Sequence, residues 1–100
     1  MAKYLVIWEL DMSRTPIDPK ERGAALGAML DKDKQSLKDG IIKDWGCFLG
    51  ELRGYTIHEV ASEMELENYL HQFVPFATFK VYRVMSLEHC AEICLNLQKP

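Results

Sequence analysis

The order of strand-like and helix-like segments constrains this chain more than any other feature. Short runs rich in β-branched and aromatic residues alternate with longer segments of helical period, and Pro, Gly and Ser mark most junctions. This pattern predicts four strands, at residues 3–10, 41–49, 55–60 and 78–85. Three helices are predicted, one ending near residue 38, one that Pro75 stops, and one at about 86–97.

Capping residues mark the predicted helix starts, which are Asp18, Ser62 and Ser86. Asp18 and Ser62 are each followed three positions later by glutamate, which is the spacing of a capping box. Gly40 is placed to end the first helix. The resulting order, βαββαβ with a terminal helix, predicts one α+β domain over residues 1–100. Its expected fold is ferredoxin-like, with an antiparallel four-stranded sheet.

In a ferredoxin-like sheet the helices cover one face, so the alternation of side chains divides each strand into two rows. The row expected beneath the helices contains Leu5, Ile7, Tyr55, Ile57, Phe79 and Val81. The opposite row contains Tyr4, Val6, Trp8, Val60, Tyr82 and Val84. An exposed apolar row of this kind predicts a homodimer, or a higher homo-oligomer, in which two sheets pair and enclose a cavity. Gly46 is expected to introduce a bulge into the second strand.

Composition excludes several functional classes. The 100 residues carry a formal net charge of -3, whereas a nucleic-acid-binding protein needs a basic surface. The apolar runs are too short to cross a bilayer, and the first residues lack the cleavage site of a signal peptide. The three cysteines have no framework spacing, so we expect a cytoplasmic protein that binds neither nucleic acid nor membranes.

The segment from Gly40 to Val84 resembles a known family. Nine residues separate Gly40 from Gly50, and four more lead to Tyr55, Thr56 and Ile57; this spacing resembles that of the muconolactone isomerase-like members of the dimeric α+β barrel superfamily. The resemblance implies a ferredoxin-like protomer whose sheet pairs with that of a second copy. It also implies, as an expectation, a cofactor-independent proton shift within an unsaturated lactone.

Several side chains are candidates for chemistry in the cavity between the paired sheets. A histidine ordinarily titrates near neutrality, so His58 is expected to carry a proton, while Lys80 and Tyr82 can stabilise an oxyanion. Each also has a structural interpretation, since His58 can belong to the dimer interface, Lys80 can extend to the barrel rim and Tyr82 can pack. The residues expected to bind the ligand are Trp8, Tyr4, Asp44 and Thr56.

Two other features are interpreted structurally. Cys90 and Cys94 lie four residues apart, next to His89, but zinc requires a closed set of four ligands, so we expect these cysteines to pack as small apolar groups. The charged run 31–34 is expected to form a solvated helix face. The sequence therefore predicts neither a metal nor a cofactor.

Three functions remain open from the sequence. The first is a protein that binds a small, partly apolar molecule in the dimer cavity. The second is a cofactor-independent isomerase or monooxygenase-like enzyme that uses His58, Lys80 and Tyr82. The third is a structural dimer whose barrel is filled by its own side chains.

Overall fold

The order of strands and helices inferred from the sequence is confirmed by a computed structural model that describes residues 1–100. The elements, in chain order, are β1 (Ala2–Leu10), α1 (Pro19–Lys38), β2 (Ile42–Cys47), β3 (Arg53–Val60), α2 (Glu63–Leu70), β4 (Ala77–Val84) and α3 (Leu87–Leu97). Short 3₁₀ turns at Met12–Arg14 and His71–Phe73 were not predicted. The fold is thus α+β, with four strands and three α-helices.

The three predicted helix caps form as expected. The Asp18 carboxylate accepts a hydrogen bond from the backbone N–H of Glu21 at 3.1 Å, and Pro19 occupies the first helical position. The hydroxyls of Ser62 and Ser86 accept equivalent bonds, each at 3.2 Å, from the residues three positions later. Because each cap involves residues three positions apart, its signal can be identified from the sequence alone.

The sheet is antiparallel and its strand order is β2-β3-β1-β4, which is compatible with a ferredoxin-like arrangement. β1 lies between β3 and β4, and its register pairs Leu5 with Ile57 on one side and with Tyr82 on the other. These three apolar residues therefore lie in one row across the sheet.

The predicted division of the sheet faces is wrong for β1 and β3. Val6 and His58 are fully buried, at 0% exposure, beneath the helices, together with Tyr4, Thr56 and Val60. The open face instead carries Leu5, Ile7, Tyr55, Ile57, Tyr82 and Val84. The prediction fails because both rows of β1 are apolar, so alternation alone does not show which row meets the helices. For β4 the expected orientation of Phe79 toward the helices is correct.

The bulge in β2 is also displaced from its predicted position. The register shifts between Ile42, which pairs with His58, and Asp44, which pairs with Ile57. Gly46 stays in register opposite Tyr55, where a Cβ atom would lie within 3 Å of the tyrosine ring. The glycine at this position thus makes room for an aromatic ring.

Helix α3 extends away from the rest of the protein. Every residue from 85 to 100 is exposed, including Cys90 and Cys94, so the expected packing of these cysteines is wrong within this chain. The protein measures 64 × 26 × 20 Å, and its radius of gyration is 16.9 Å. A compact chain of this length has a radius of gyration of about 13 Å. The difference reflects the projecting helix.

Candidate ligand-binding site

A cavity of about 280 Å³ separates α1 from the helix-covered face of the sheet. Thirteen of its fifteen lining residues are hydrophobic. Ser36 is the one buried residue of α1, whereas Leu26 and Met29, earlier in the helix, line the cavity and are only partly buried.

Two tryptophans form one wall of the cavity. The rings of Trp8 and Trp45 stack with centroids 5.7 Å apart and planes 24° from parallel. Trp8 lies across Gly54, its partner on β3, where a Cβ atom would come within 2.5 Å of Trp8 Cζ2. Only glycine leaves space there, so Gly54 positions the flat aromatic wall.

The carboxylate of Asp33 lies at the polar end of the cavity. Trp45 Nε1 donates a hydrogen bond to Asp33 Oδ2 at 3.1 Å, while no side-chain cation forms an ion pair with this carboxylate. Burial raises the pKa of Asp33, and the bond from Trp45 partly opposes that rise. No Lys, Arg or His lines the cavity.

A short hydrogen-bonded cluster supports the same end of the site. Tyr69 Oη donates to Ser36 Oγ at 2.9 Å, which ties α2 to α1. Burial raises the pKa of Tyr69; the bond to Ser36 opposes this rise, and the nearby Asp33 carboxylate adds to it. The edge of the Tyr69 ring also meets His58, with ring centroids 5.3 Å apart.

His58 is a neutral, structural partner of a cavity residue. Its Nε2 lies 2.8 Å from Thr56 Oγ1, and Thr56 lines the cavity. Burial lowers the pKa of His58 to about 4, so the ring is uncharged at neutral pH. Nδ1 has no hydrogen-bond partner, and we assign the ring proton to Nε2 because a buried N–H without an acceptor is costly. In this tautomer His58 donates to Thr56 and leaves the threonine hydroxyl proton free for another acceptor.

Comparison with known proteins assigns the family. The family model of a domain of unknown function (DUF3303) matches residues 2–98. The chain belongs to the DUF3303 family. This family description includes no activity, and it does not assign the DUF3303 chain to the muconolactone isomerase-like proteins. A comparison with curated proteins found no significant match.

The DUF3303 fold separates the residues that the sequence grouped together. Of the predicted ligand-binding residues, Trp8 and Thr56 line the cavity. Tyr4 is instead part of the hydrophobic core. Asp44 lies on the open face, where it accepts a hydrogen bond from Tyr55 Oη at 2.7 Å.

The three residues expected to act together in catalysis are also divided. His58 lies on the helix-covered face, whereas Lys80 and Tyr82 lie on the open face and are exposed. The sheet therefore separates the expected proton carrier from the expected oxyanion donors. No group of three or more His, Cys, Asp or Glu side chains is placed to hold a metal ion in the DUF3303 chain. None of its helices has the length and apolar character needed to cross a membrane.

Asp33 is the functional candidate that sequence reasoning missed. The alternating charges of 31–34 predict a solvated face, yet Asp33 follows Met29 by four residues and precedes Ser36 by three. Those spacings place it on the inward stripe of α1. A carboxylate within an apolar stripe is the signal that identifies it.

Proposed function

We propose that this protein binds a small, mainly apolar molecule containing a ring, in the cavity between α1 and the sheet. The observation that carries the proposal is the cavity itself, because its apolar side chains face a space that opens to water, and a ligand would cover that apolar surface. Its volume of about 280 Å³ is near the lower end for ligand sites, which suits a molecule of one or two rings. The site differs in place from the cavity between paired sheets that the sequence suggested.

The two tryptophans supply a direct binding assay. They are the only tryptophans of the chain and both line the cavity, so a ligand that enters it changes the intrinsic fluorescence. We expect 4-phenylbutan-1-ol, which absorbs little at 295 nm, to give a saturable change in tryptophan emission.

Two variants test whether the ligand binds in this cavity or on the open face of the sheet. Met29→Phe adds volume to the wall and should weaken binding about tenfold, since overpacking costs about 1–3 kcal/mol. Tyr82→Phe, on the opposite face, is the control and should bind as the native protein does. Binding that is unchanged in Met29→Phe but lost in Tyr82→Phe would place the ligand elsewhere. Absence of binding to the native protein would overturn the proposal.

A cofactor-independent isomerase is the second candidate, and Asp33 favours it. A partly buried carboxyl whose pKa is raised by burial is suited to removing a proton from one carbon of a substrate and returning it to another. His58 is less suited, because its lowered pKa makes it a weak base and it does not line the cavity.

Solvent exchange tests the enzymatic alternative. Incubation with an unsaturated lactone in deuterated water should place deuterium on carbon, as seen by NMR, only if a proton transfer occurs. Asp33→Asn should abolish this exchange while 4-phenylbutan-1-ol still binds. Native protein that binds the alcohol without any exchange of the lactone would favour the binding function.

The proposal includes a homodimer, supported by two apolar surfaces that this chain leaves uncovered. One is the open face of the sheet, where the row Ile57, Leu5 and Tyr82 lies between a row that contains Glu59 and Lys3 and a row whose one charged residue is Lys80. Lys3 is 3.9 Å from Glu59 in the first of these rows, so two copies can approach there without like-charge repulsion. These features support pairing of the sheets into a barrel.

The second surface is α3. An isolated helix of 11 residues is marginal in water, and α3 exposes Leu87, Ile93, Leu95 and Leu97. Because α3 directly follows the edge strand β4, a two-fold axis near that edge would bring each α3 against the other copy. Both surfaces would then be buried at once.

Sedimentation velocity at micromolar concentration tests the dimer. The native protein should sediment as a dimer, and Leu5→Lys, which places a charge at the centre of the open face, should sediment as a monomer. Leu49→Lys makes the same change at a fully exposed turn and should remain dimeric. A native protein that is monomeric under these conditions would refute sheet pairing.

A further inference from the structure

The charge around the cavity indicates which small molecules it selects. Asp33 is the only carboxylate among the lining residues, and no basic side chain lies with it. The other polar groups of the lining residues are uncharged, among them the Thr56 hydroxyl, the indole N–H of Trp45 and the buried indole N–H of Trp8, which has no partner in the chain. An anionic ligand would therefore meet a carboxylate in a setting of low polarity, where repulsion between like charges is weakly screened.

The carboxylate also has unused capacity to accept hydrogen bonds. Its Oδ2 accepts one bond from Trp45 Nε1, a neutral donor, and its Oδ1 accepts none from the chain. Burial is the main cause of the raised pKa of Asp33, and no positively charged group of the protein lowers that pKa. Asp33 Oδ1 is open to solvent, so the ammonium group of a ligand can replace water there as a charged donor.

The aromatic walls favour the same class of ligand. Trp8, Trp45, Tyr69 and Phe73 all line the cavity, and the two indoles stack against each other. The negatively polarised faces of such rings attract an ammonium group, and tryptophan does so most strongly. Aromatic faces and one carboxylate, without a competing cation, form a site suited to a lipophilic amine.

We propose that the cavity binds amines that carry an apolar ring, with the ammonium group at Asp33 and the ring between α1 and the sheet. This inference rests on the proposed binding function and adds the charge of the ligand. It predicts an affinity order that a purely apolar cavity would not produce.

Three probes of matched size test the order: 4-phenylbutylamine, 4-phenylbutan-1-ol and 4-phenylbutyrate, titrated at pH 7 with excitation at 295 nm. We expect the amine to bind about tenfold more tightly than the alcohol, because both can donate a hydrogen bond to the carboxylate but only the ammonium group adds the attraction between opposite charges. The carboxylate should bind most weakly.

Two variants on the same helix identify the group responsible. Asp33→Asn keeps the size of the side chain and an oxygen acceptor for Trp45, and it should reduce the preference of amine over alcohol to within about twofold. Asp31→Asn makes the same change in net charge at an exposed position and should retain the native order.

The outcomes distinguish this inference from the function on which it rests. Alcohol binding as tight as amine binding, or a native order that persists in Asp33→Asn, overturns the selection of amines and leaves the cavity as a binding site. Failure of all three probes to bind overturns both proposals.

Discussion

The buried imidazole of His58 predicts how the stability of this protein depends on pH. Its pKa is lowered from 6.5 to about 4 by burial, and its exposure is 0%. Between these two pH values the unfolded chain takes up a proton at His58 that the folded chain does not. The folded state therefore loses stability as pH falls from about 6.5 to 4, and the contribution of His58 is fully present above pH 6.5.

The magnitude follows from the two pKa values. Each pH unit between them corresponds to about 1.36 kcal/mol, so His58 should cost about 3 kcal/mol of unfolding free energy over this range. That is a large part of the roughly 5–15 kcal/mol that stabilises a typical domain. The half-buried Asp33, whose pKa is raised above 3.8 by burial, acts in the opposite sense, because its contribution is present below that value and is lost as pH rises through the raised pKa of the folded state.

Urea unfolding followed by tryptophan fluorescence at fixed protein concentration, in steps from pH 7.5 to 4, measures this dependence. His58→Gln removes the titrating ring and should flatten the curve by about 3 kcal/mol relative to the native protein. His71→Gln is the control, because His71 is exposed on the 3₁₀ turn and pairs with Glu67. Native and His58→Gln curves that stay parallel between pH 6.5 and 4 would refute the assignment of a neutral, buried His58.

Three further substitutions test the local structure. Gly54→Ala places a Cβ atom against both the Gly46 carbonyl oxygen and the Trp8 ring, so it should lower the unfolding free energy by about 1–3 kcal/mol and alter the near-UV circular dichroism; an unaltered spectrum would contradict the contact with Trp8. Asp18→Ala removes the cap of α1 and should lower the urea-unfolding free energy by about 1 kcal/mol; no change would mean that the cap is not formed in solution. Ser86→Ala should reduce far-UV helical signal from α3 more in monomeric Leu5→Lys than in the native dimer, and equal losses would argue against α3 packing on a second copy.

Much of the candidate site could not be predicted from the sequence, because its residues come together from separate helices and strands. Trp8 comes from β1, Asp33 from α1, Trp45 from β2 and Tyr69 from α2. Each carries a periodic signal of its own, but no spacing along the chain relates one to another. Trp8 and Thr56 were predicted to contact a ligand, although on the wrong side of the sheet.

The predicted grouping of His58 with Lys80 and Tyr82 is wrong because the sequence does not show how the faces of neighbouring strands correspond. Alternation correctly places successive side chains on opposite faces within each strand, but the relation between strands depends on register. Tyr82 pairs with Leu5, and Leu5 pairs with Ile57, the neighbour of His58 in sequence. His58 therefore lies on the opposite face from Tyr82. Assuming the reverse orientation of β3 places the two side chains on the same face.

The sequence by itself determined the order of the elements and the positions at which the helices begin. Those features depend on caps, turns and periodicities that span a few residues, as at Asp18 and Ser62, so they are encoded locally. Tertiary structure decided which apolar row of β1 the helices cover and how far α1 stands from the sheet. Because both rows of β1 are apolar, packing against α1 and α2 selected between them, and the incomplete closure of α1 created the cavity that holds Asp33.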